Sequence, residues 1–441
     1  MFLFAASLIV LVPVIGLAVD VSLMNLAQAK LFAAVDAAAL AGARALSRGA
    51  DDAAQQLAAT STATSYFLKN FPAGYLSTTN VPNPTVAVTT SANLRTVTVN
   101  TTVQFPLTFL RWLGPSMGTS PINALAAATR RDVNVMLVLD HSGSLHDSGS
   151  CEPMKAAAIT FLSHFAQGRD NVGLVTFATG SAVDVPLNST FASGATDVAA
   201  VISMIGCASS TNSSSGLWRA YRQLAALNQP GALNAILFFT DGMPTSFTAW
   251  NNVTNTSCSA FGWTAGVIGS QGLGDPNQTA TQSESLLPAT GCSWSSGWNT
   301  ADVPEVHKTD YWGNSIDGTY APVTVTDPTL PANSGNMQNA SVNATISAAQ
   351  RIRTGQPDLI WTGPTTNNGA GPSVSGVTIF SIGLGNSGAP PDANLLMTVS
   401  NDPRGPSPDS TAQGLYIYAP NANSLGPAFQ RVASELLRLA R

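Results

Sequence analysis

Charge is what this chain has least of. Lys, Arg, Asp and Glu make up only 10% of its 441 residues, against roughly 25% in an average soluble domain. Its polar surface must therefore come mostly from Ser, Thr, Asn and Gln. The net charge is −5 and Lys and Arg cluster nowhere, which excludes the basic footprint that nucleic-acid binding needs. Cysteine is also rare. The four present include no C-x-x-C pair, which argues against a zinc ribbon or a thioredoxin-type motif. No P-loop, H-E-x-x-H or dinucleotide fingerprint occurs. Residues 114–118 match G-x-S-x-G, but Pro115 precedes the Ser and no buried strand leads in, so a nucleophile elbow is not expected there. Apolar residues, in contrast, reach 44%, enough to build cores for two or three domains.

The longest apolar run opens the chain. Residues 1–19 carry no charge and have about the length a helix needs to cross a bilayer. An Ala-rich stretch, residues 21–46, continues the same helical pattern. Two other readings stay open: a signal peptide cleaved at Ala27-Gln28-Ala29, or a buried core helix. The length of the run, and the position of that cleavage site well past it, favour a membrane anchor. No Lys or Arg precedes the run, so that flank sets no orientation. Residues 51–68 read as another helix. Residues 81–105 alternate Val and Thr with the period of two expected of half-exposed strands, turning at residues 91–93.

A different pattern begins at residue 134. NVMLVLDHSGS is a continuous β-branched and apolar run that breaks at Asp140 into small polar residues, as a strand buried on both faces would. Ligands bind at the ends of such strands. There Asp140, Ser142 and Ser144, spaced D-x-S-x-S, turn a carboxylate and two hydroxyls toward one point. Oxygen donors of this kind suit a hard divalent cation, although Asp and Ser are also the residues of a plain strand-to-helix turn. Thr211 lies in a loop that opens an amphipathic helix. NAILFFTDGMP, residues 234–244, is a second buried strand, and it breaks at Asp241.

Taken in order, these three loops resemble the metal-ion-dependent adhesion site of a von Willebrand factor type A domain. All five positions of that motif are filled, by Asp140, Ser142, Ser144, Thr211 and Asp241. The resemblance implies an α/β fold with a doubly wound, mainly parallel sheet over residues 132–441. It also implies Mg²⁺ or Mn²⁺ at the five side chains, and a protein partner that supplies an acidic residue to the ion. His141 and His146 flank the first loop and would suit a softer metal; they read instead as solvated loop residues. The N-terminal segment VDVSLMNLAQAKLFAAVDAAALAGA is similar to the TadG-like proteins of Tad (Flp) pilus assembly. This similarity implies a transmembrane and Ala-rich helix over residues 1–47 and a small α+β, pilin-like region over 48–131.

The rest of the chain fits alternating strands and helices. Helices are expected over 153–167, 196–205, 339–353 and 425–439, and strands over 172–177, 182–185, 377–383 and 414–418. An insertion at about residues 245–337 is extra to an A domain. Trp250, Trp263, Trp294, Trp298 and Trp312 argue against its being plain disorder; it is either a lid beside the metal edge or a self-packed decoration. In an A domain Cys151 and Cys207 would share the metal edge. Disulfides Cys151–Cys207 and Cys258–Cys292 are accordingly expected, with four buried thiols as the alternative. Together these features imply a non-enzymatic, single-pass membrane protein whose bulk is extracytoplasmic, in the bacterial periplasm or on the cell surface. It would bind a protein partner, possible partners including pilus or cell-envelope components, in pilus assembly or adhesion. The alternatives are a minor pilin-like subunit that displays the A domain on a filament or, less favoured, a metal-dependent hydrolase.

Overall fold

A computed structural model describes residues 2–46, 52–91, 94–112, 118–253, 262–269, 272–281, 309–316, 334–360, 371–385 and 391–440. The chain divides into two compact units, the first ending at Asp132 and the second beginning at Val133.

In the first unit, helix α1 (Phe2–Ala45) runs unbroken for 44 residues. Val14–Ala45 is long and apolar enough to cross a membrane. Its later turns bury Ala27, Leu31, Ala34, Val35 and Ala38, one face at helical spacing. Helix α2 (Asp52–Asn70) buries Gln55, Ala59, Ala63 and Phe67. At Gly42 of α1 the helices come close: a Cβ there would lie 3.1 Å from the Ala63 Cβ and 3.2 Å from the Ala59 carbonyl oxygen. Strands β1 (Thr85–Ser91), β2 (Leu94–Pro106) and β3 (Thr119–Arg131) form an antiparallel sheet in that order. Val97, Val99, Val103 and Phe105 alternate inward from β2 into a core shared with α1 and α2. The sequence pattern revealed β1 and β2 but not β3, which pairs with β2 over its whole length.

The second unit is built on a six-stranded sheet. Along the chain come β4 (Val133–Asp140), the short helix α3 (Gly143–Asp147), α4 (Cys151–Leu162), β5 (Asn171–Phe177), β6 (Ser181–Asn188), α5 (Val198–Ser203), α6 (Ser213–Leu227) and β7 (Leu233–Thr240). An inserted antiparallel sheet follows, of β8 (Phe247–Val253), β9 (Gly262–Gly269) and β10 (Gly272–Gly274). Helix α7 (Ser334–Thr354), β11 (Thr378–Leu384), α8 (Ala393–Ser400), β12 (Tyr416–Ala419) and α9 (Leu425–Leu439) complete the unit. The sheet order is β12-β11-β7-β4-β5-β6. Every pairing is parallel except β5 with the edge strand β6.

This is the doubly wound α/β architecture expected. Alternate residues of β4 show why its apolar run is unbroken. Val135, Leu137 and Leu139 pack with residues of α4 and α9 on one face. Met136 and Val138 pack with residues of α6 and α7 on the other. Helix α4 stops at Leu162, short of the expected residue 167, and α8 was not anticipated. It supplies the crossover that a parallel β11–β12 pair requires.

Part of the insertion packs on this sandwich. Trp312 is 2% exposed, its indole N–H donates to the Ser215 Oγ at 3.2 Å, and the guanidinium carbons of Arg219 and Arg222 lie 5.2 and 5.3 Å from its ring centre. Trp312 therefore joins the core of the domain rather than one of the insertion's own. Gln278 anchors another part of it at the turn between β5 and β6, its Oε1 accepting the Gly180 N–H at 2.9 Å. Trp250 and Trp263 lie on β8 and β9, whereas Trp294, Trp298, Cys258 and Cys292 fall outside the described residues.

Candidate metal centre

In the sheet the chain leaving β4 goes on to β5 on one side and the chain leaving β7 goes on to β11 on the other, so the loops leaving β4 and β7 diverge. The gap between them is the crevice where open α/β sheets bind ligands. Asp140 is the last residue of β4, and Asp241 directly follows β7. The β4–β7 register, with Leu139 opposite Phe239, sets Thr240 beside Asp140. The Thr240 hydroxyl donates to Asp140 Oδ2 at 2.6 Å, and the Ser142 N–H donates to Asp140 Oδ1 at 2.8 Å.

The two serines complete the link to the second carboxylate. Ser144 Oγ donates to Asp241 Oδ1 at 2.7 Å, and the Ser142 and Ser144 hydroxyls lie 3.2 Å apart. Four of the five expected side chains thus form one hydrogen-bonded cluster. Thr211 approaches through its main chain. Its N–H donates to Thr245 Oγ1 at 3.0 Å, and its carbonyl accepts from the Thr245 N–H at 2.9 Å. This ties the third loop to the one that carries Asp241. Thr240 and Thr245 lay outside the sequence pattern, and only the strand register and loop pairing bring them in.

The electrostatics are those of negative charge gathered without a counterion. Burial, and then the charge of Asp241, push the Asp140 carboxyl up to about 7. Burial raises Asp241 as well, against the hydrogen bond from Ser144. Among the described residues, no Lys, Arg or His forms an ion pair with either. Asp241 Oδ2 is buried and has no hydrogen-bond partner, an arrangement that is costly unless something positive sits nearby. The two carboxylates and two serine hydroxyls brought together here, with that orphaned oxygen, fit a small divalent cation.

His141 departs from expectation. It is fully buried rather than solvated, because main-chain bonds hold its loop from two sides: its N–H donates to the Phe177 carbonyl at 3.0 Å, and its carbonyl accepts from the Ala208 N–H at 2.7 Å. Burial lowers its pKa to about 4, so the ring is neutral near pH 7, and its Nδ1–H donates to the Gly206 carbonyl at 2.8 Å. That bond ties the ring to the Gly206 loop, while its Nε2 makes no hydrogen bond to either carboxylate. His146 is exposed, as expected.

A disulfide joins Cys151, at the start of α4, to Cys207. It anchors the loop whose Gly206 carbonyl, Ala208 N–H and Ser209 carbonyl bond to residues 141 and 143.

A family-model match agrees with the architecture. Residues 135–243 match the von Willebrand factor type A domain model, and residues 1–45 match the Flp pilus-assembly TadE/G-like model. No curated protein sequence matches the chain. Among solved structures, the pilus adhesin SpaC from Lactobacillus rhamnosus GG is similar at 14% identity and a TM-score of 0.38, over 81% of this chain and 34% of that one. The present chain thus spans about a third of that adhesin. The PilB minor pilin from Streptococcus sanguinis is similar at 13% identity and 0.36, over 81% and 78%. The von Willebrand domain of the type V pili tip protein Mfa5 from Porphyromonas gingivalis is similar at 14% and 0.40, over 71% and 98%. The chain therefore carries a von Willebrand factor type A domain at residues 135–243 and, at its N-terminus, a TadE/G-like segment.

Proposed function

We propose that this is a membrane-anchored, extracytoplasmic adhesion or pilus-assembly protein that captures a protein partner through a divalent cation, Mg²⁺ or Mn²⁺. Asp140, Ser142, Ser144, Thr211 and Asp241 would hold the ion. The observation that carries the reading is the buried Asp140–Asp241 pair, which lacks a cationic partner among the described residues and leaves Asp241 Oδ2 unbonded.

Each group has its part. Asp140 supplies charge, fixed in orientation by Thr240 and by the Ser142 N–H. Asp241 supplies the second charge, and Ser144 holds one of its oxygens so that the other is left for the ion. Ser142 and Ser144 add neutral oxygens from the first turn of the loop. With two carboxylates the bound ion would be formally neutralised, and it would offer an exchangeable position to a carboxylate of the partner. The TadE/G-like match and the apolar helix α1 support the anchor and the pilus setting.

The test is a thermal melt of the full chain in detergent, with and without Mg²⁺. At a hundredfold excess over Kd, binding to the folded state alone adds about 2.7 kcal/mol. Wild type should melt several degrees higher with Mg²⁺, reversibly in EDTA. Asp241→Asn should lose the shift while remaining folded. Identical Mg²⁺ responses of wild type and Asp241→Asn would sink the proposal.

A further inference from the structure

Beyond the metal site, the first unit carries an unusual pairing of an acid and a loop. Along the early turns of α1, Leu11, Val14, Ile15, Leu17 and Val19 are exposed. Gly16 and Asp20 are buried there, and both by the loop that follows β2. A Cβ on Gly16 would fall 2.6 Å from the Phe109 Cβ, so the Phe109 side chain lies directly on the helix backbone. Asp20, only 1% exposed, accepts three main-chain N–H groups: Thr108 at 3.0 Å, Phe109 at 2.9 Å and Leu110 at 2.9 Å. These N–H groups lead into the short 3-10 turn Leu110–Trp112, whose donors would otherwise need water.

We propose that the loop of residues 107–112 is a second membrane contact, seated at the lipid headgroups beside the point where α1 leaves the bilayer. The inference rests on the membrane-anchor reading given above. At 1.5 Å per residue, the apolar run from Phe2 to Val19 spans about 27 Å, close to the roughly 30 Å of bilayer hydrocarbon. Gly16 and Asp20 then mark its last turn, and the loop clamped to them shares their depth.

The loop's sequence, Leu-Thr-Phe-Leu-Arg-Trp, is what that layer favours: apolar and aromatic groups, with an Arg to reach phosphate. Phe109 is 43% exposed and Arg111 is exposed, so both have a free side to offer. Asp20 fits the same place. Three charge-assisted bonds satisfy a carboxylate where water is thinning, and they satisfy the loop's N–H groups in turn.

Site-specific fluorescence of the full chain in phosphatidylcholine and phosphatidylglycerol vesicles tests this. An environment-sensitive dye is attached, without reductant, to Leu11→Cys, Arg111→Cys or Thr89→Cys, with the parent chain as the blank. Thr89 is exposed on β1 and pairs with Thr96. The next residue, Val97, packs on Gly42, which lies about 40 Å along α1 from Gly16. Lipids spin-labelled near the chain end should quench the Leu11 dye, and lipids labelled near the headgroup should quench the Arg111 dye. The Thr89 dye should respond only to aqueous iodide. Asp20→Asn should move the Arg111 dye toward iodide quenching and leave the Leu11 dye unchanged.

If the Leu11 dye is quenched by lipid but the Arg111 dye behaves as Thr89 does, the loop inference falls and the anchor stands. An Arg111 dye shielded from lipid and iodide alike would mean that protein, such as a second copy, covers the loop, and would equally overturn it. A Leu11 dye that no lipid quenches removes the anchor reading and the loop contact together.

Discussion

Asp310 shows how strongly one buried carboxyl can set the pH response of the second unit. It lies in a segment of the insertion that docks beside Trp312. Its Oδ1 accepts the N–H groups of Trp312 and Asn314, at 2.9 and 2.8 Å, and its Oδ2 accepts from the Asn314 amide at 2.9 Å. Burial nevertheless pushes its pKa up to about 6, from 3.8. A carboxyl raised in the folded state binds a proton more tightly there than in the unfolded chain. Its contribution to stability is therefore fully present below about pH 4 and is lost as the pH rises through about 6. The difference of some two pH units corresponds to at most about 3 kcal/mol. Asp310→Asn should flatten this part of the pH dependence, even if the amide lowers stability at every pH by turning an N–H toward Asn314. Melting wild type and variant at pH 4 and pH 7 measures it. A wild-type-minus-variant difference that stays constant across that range would contradict the assignment.

At the scale of elements, the 206–209 loop is held by one covalent bond and several hydrogen bonds, and it in turn holds the loop that begins at Asp140. The disulfide Cys151–Cys207 closes a separation of 56 residues, for which the chain-entropy model gives about 4 kcal/mol. Replacing both cysteines by Ser should lower stability by up to that amount. It should also weaken Mg²⁺ binding in a calorimetric titration, because Gly143 and His141 lose a firm partner. Unchanged stability and unchanged binding would show the loop to be held by its hydrogen bonds alone.

The elements that position this site were also the easiest to read in advance. β4 and β7 carry long apolar runs because helices cover both faces, Asp140 and Asp241 mark where those runs stop, and β11 is buried as fully although Ser381 interrupts its apolar pattern. Strand β3 was hidden for the opposite reason. Its thirteen residues include four alanines, which have weak strand propensity, and only its long pairing with β2 makes it a strand. Helix α8 is eight residues long, too short to display a period. Its one signal was Asp392, which caps it by accepting from the N–H groups of Asn394 and Leu395. The burial of His141 and the part played by Thr240 depend on contacts with residues some 65 and 100 positions away, and no local pattern encodes these.

Across the whole molecule, two features bear on topology. An apolar helix opens the chain, and a disulfide lies in the A domain. Structural disulfides form and persist in oxidising compartments, which supports the proposed placement of the second unit on the non-cytoplasmic side. The scarcity of charge is compatible with this, since a surface of Ser, Thr and Asn needs no particular side. Intact cells or spheroplasts expressing the chain should therefore lose the region after residue 132 to added protease, while a fragment containing α1 remains with the membrane after a carbonate wash. Cys151 and Cys207 should react with maleimide only after reduction. Protection of the A domain until the cells are lysed, with both thiols freely reactive, would put the domain in the cytoplasm, and an adhesive role at the cell surface would have to be abandoned.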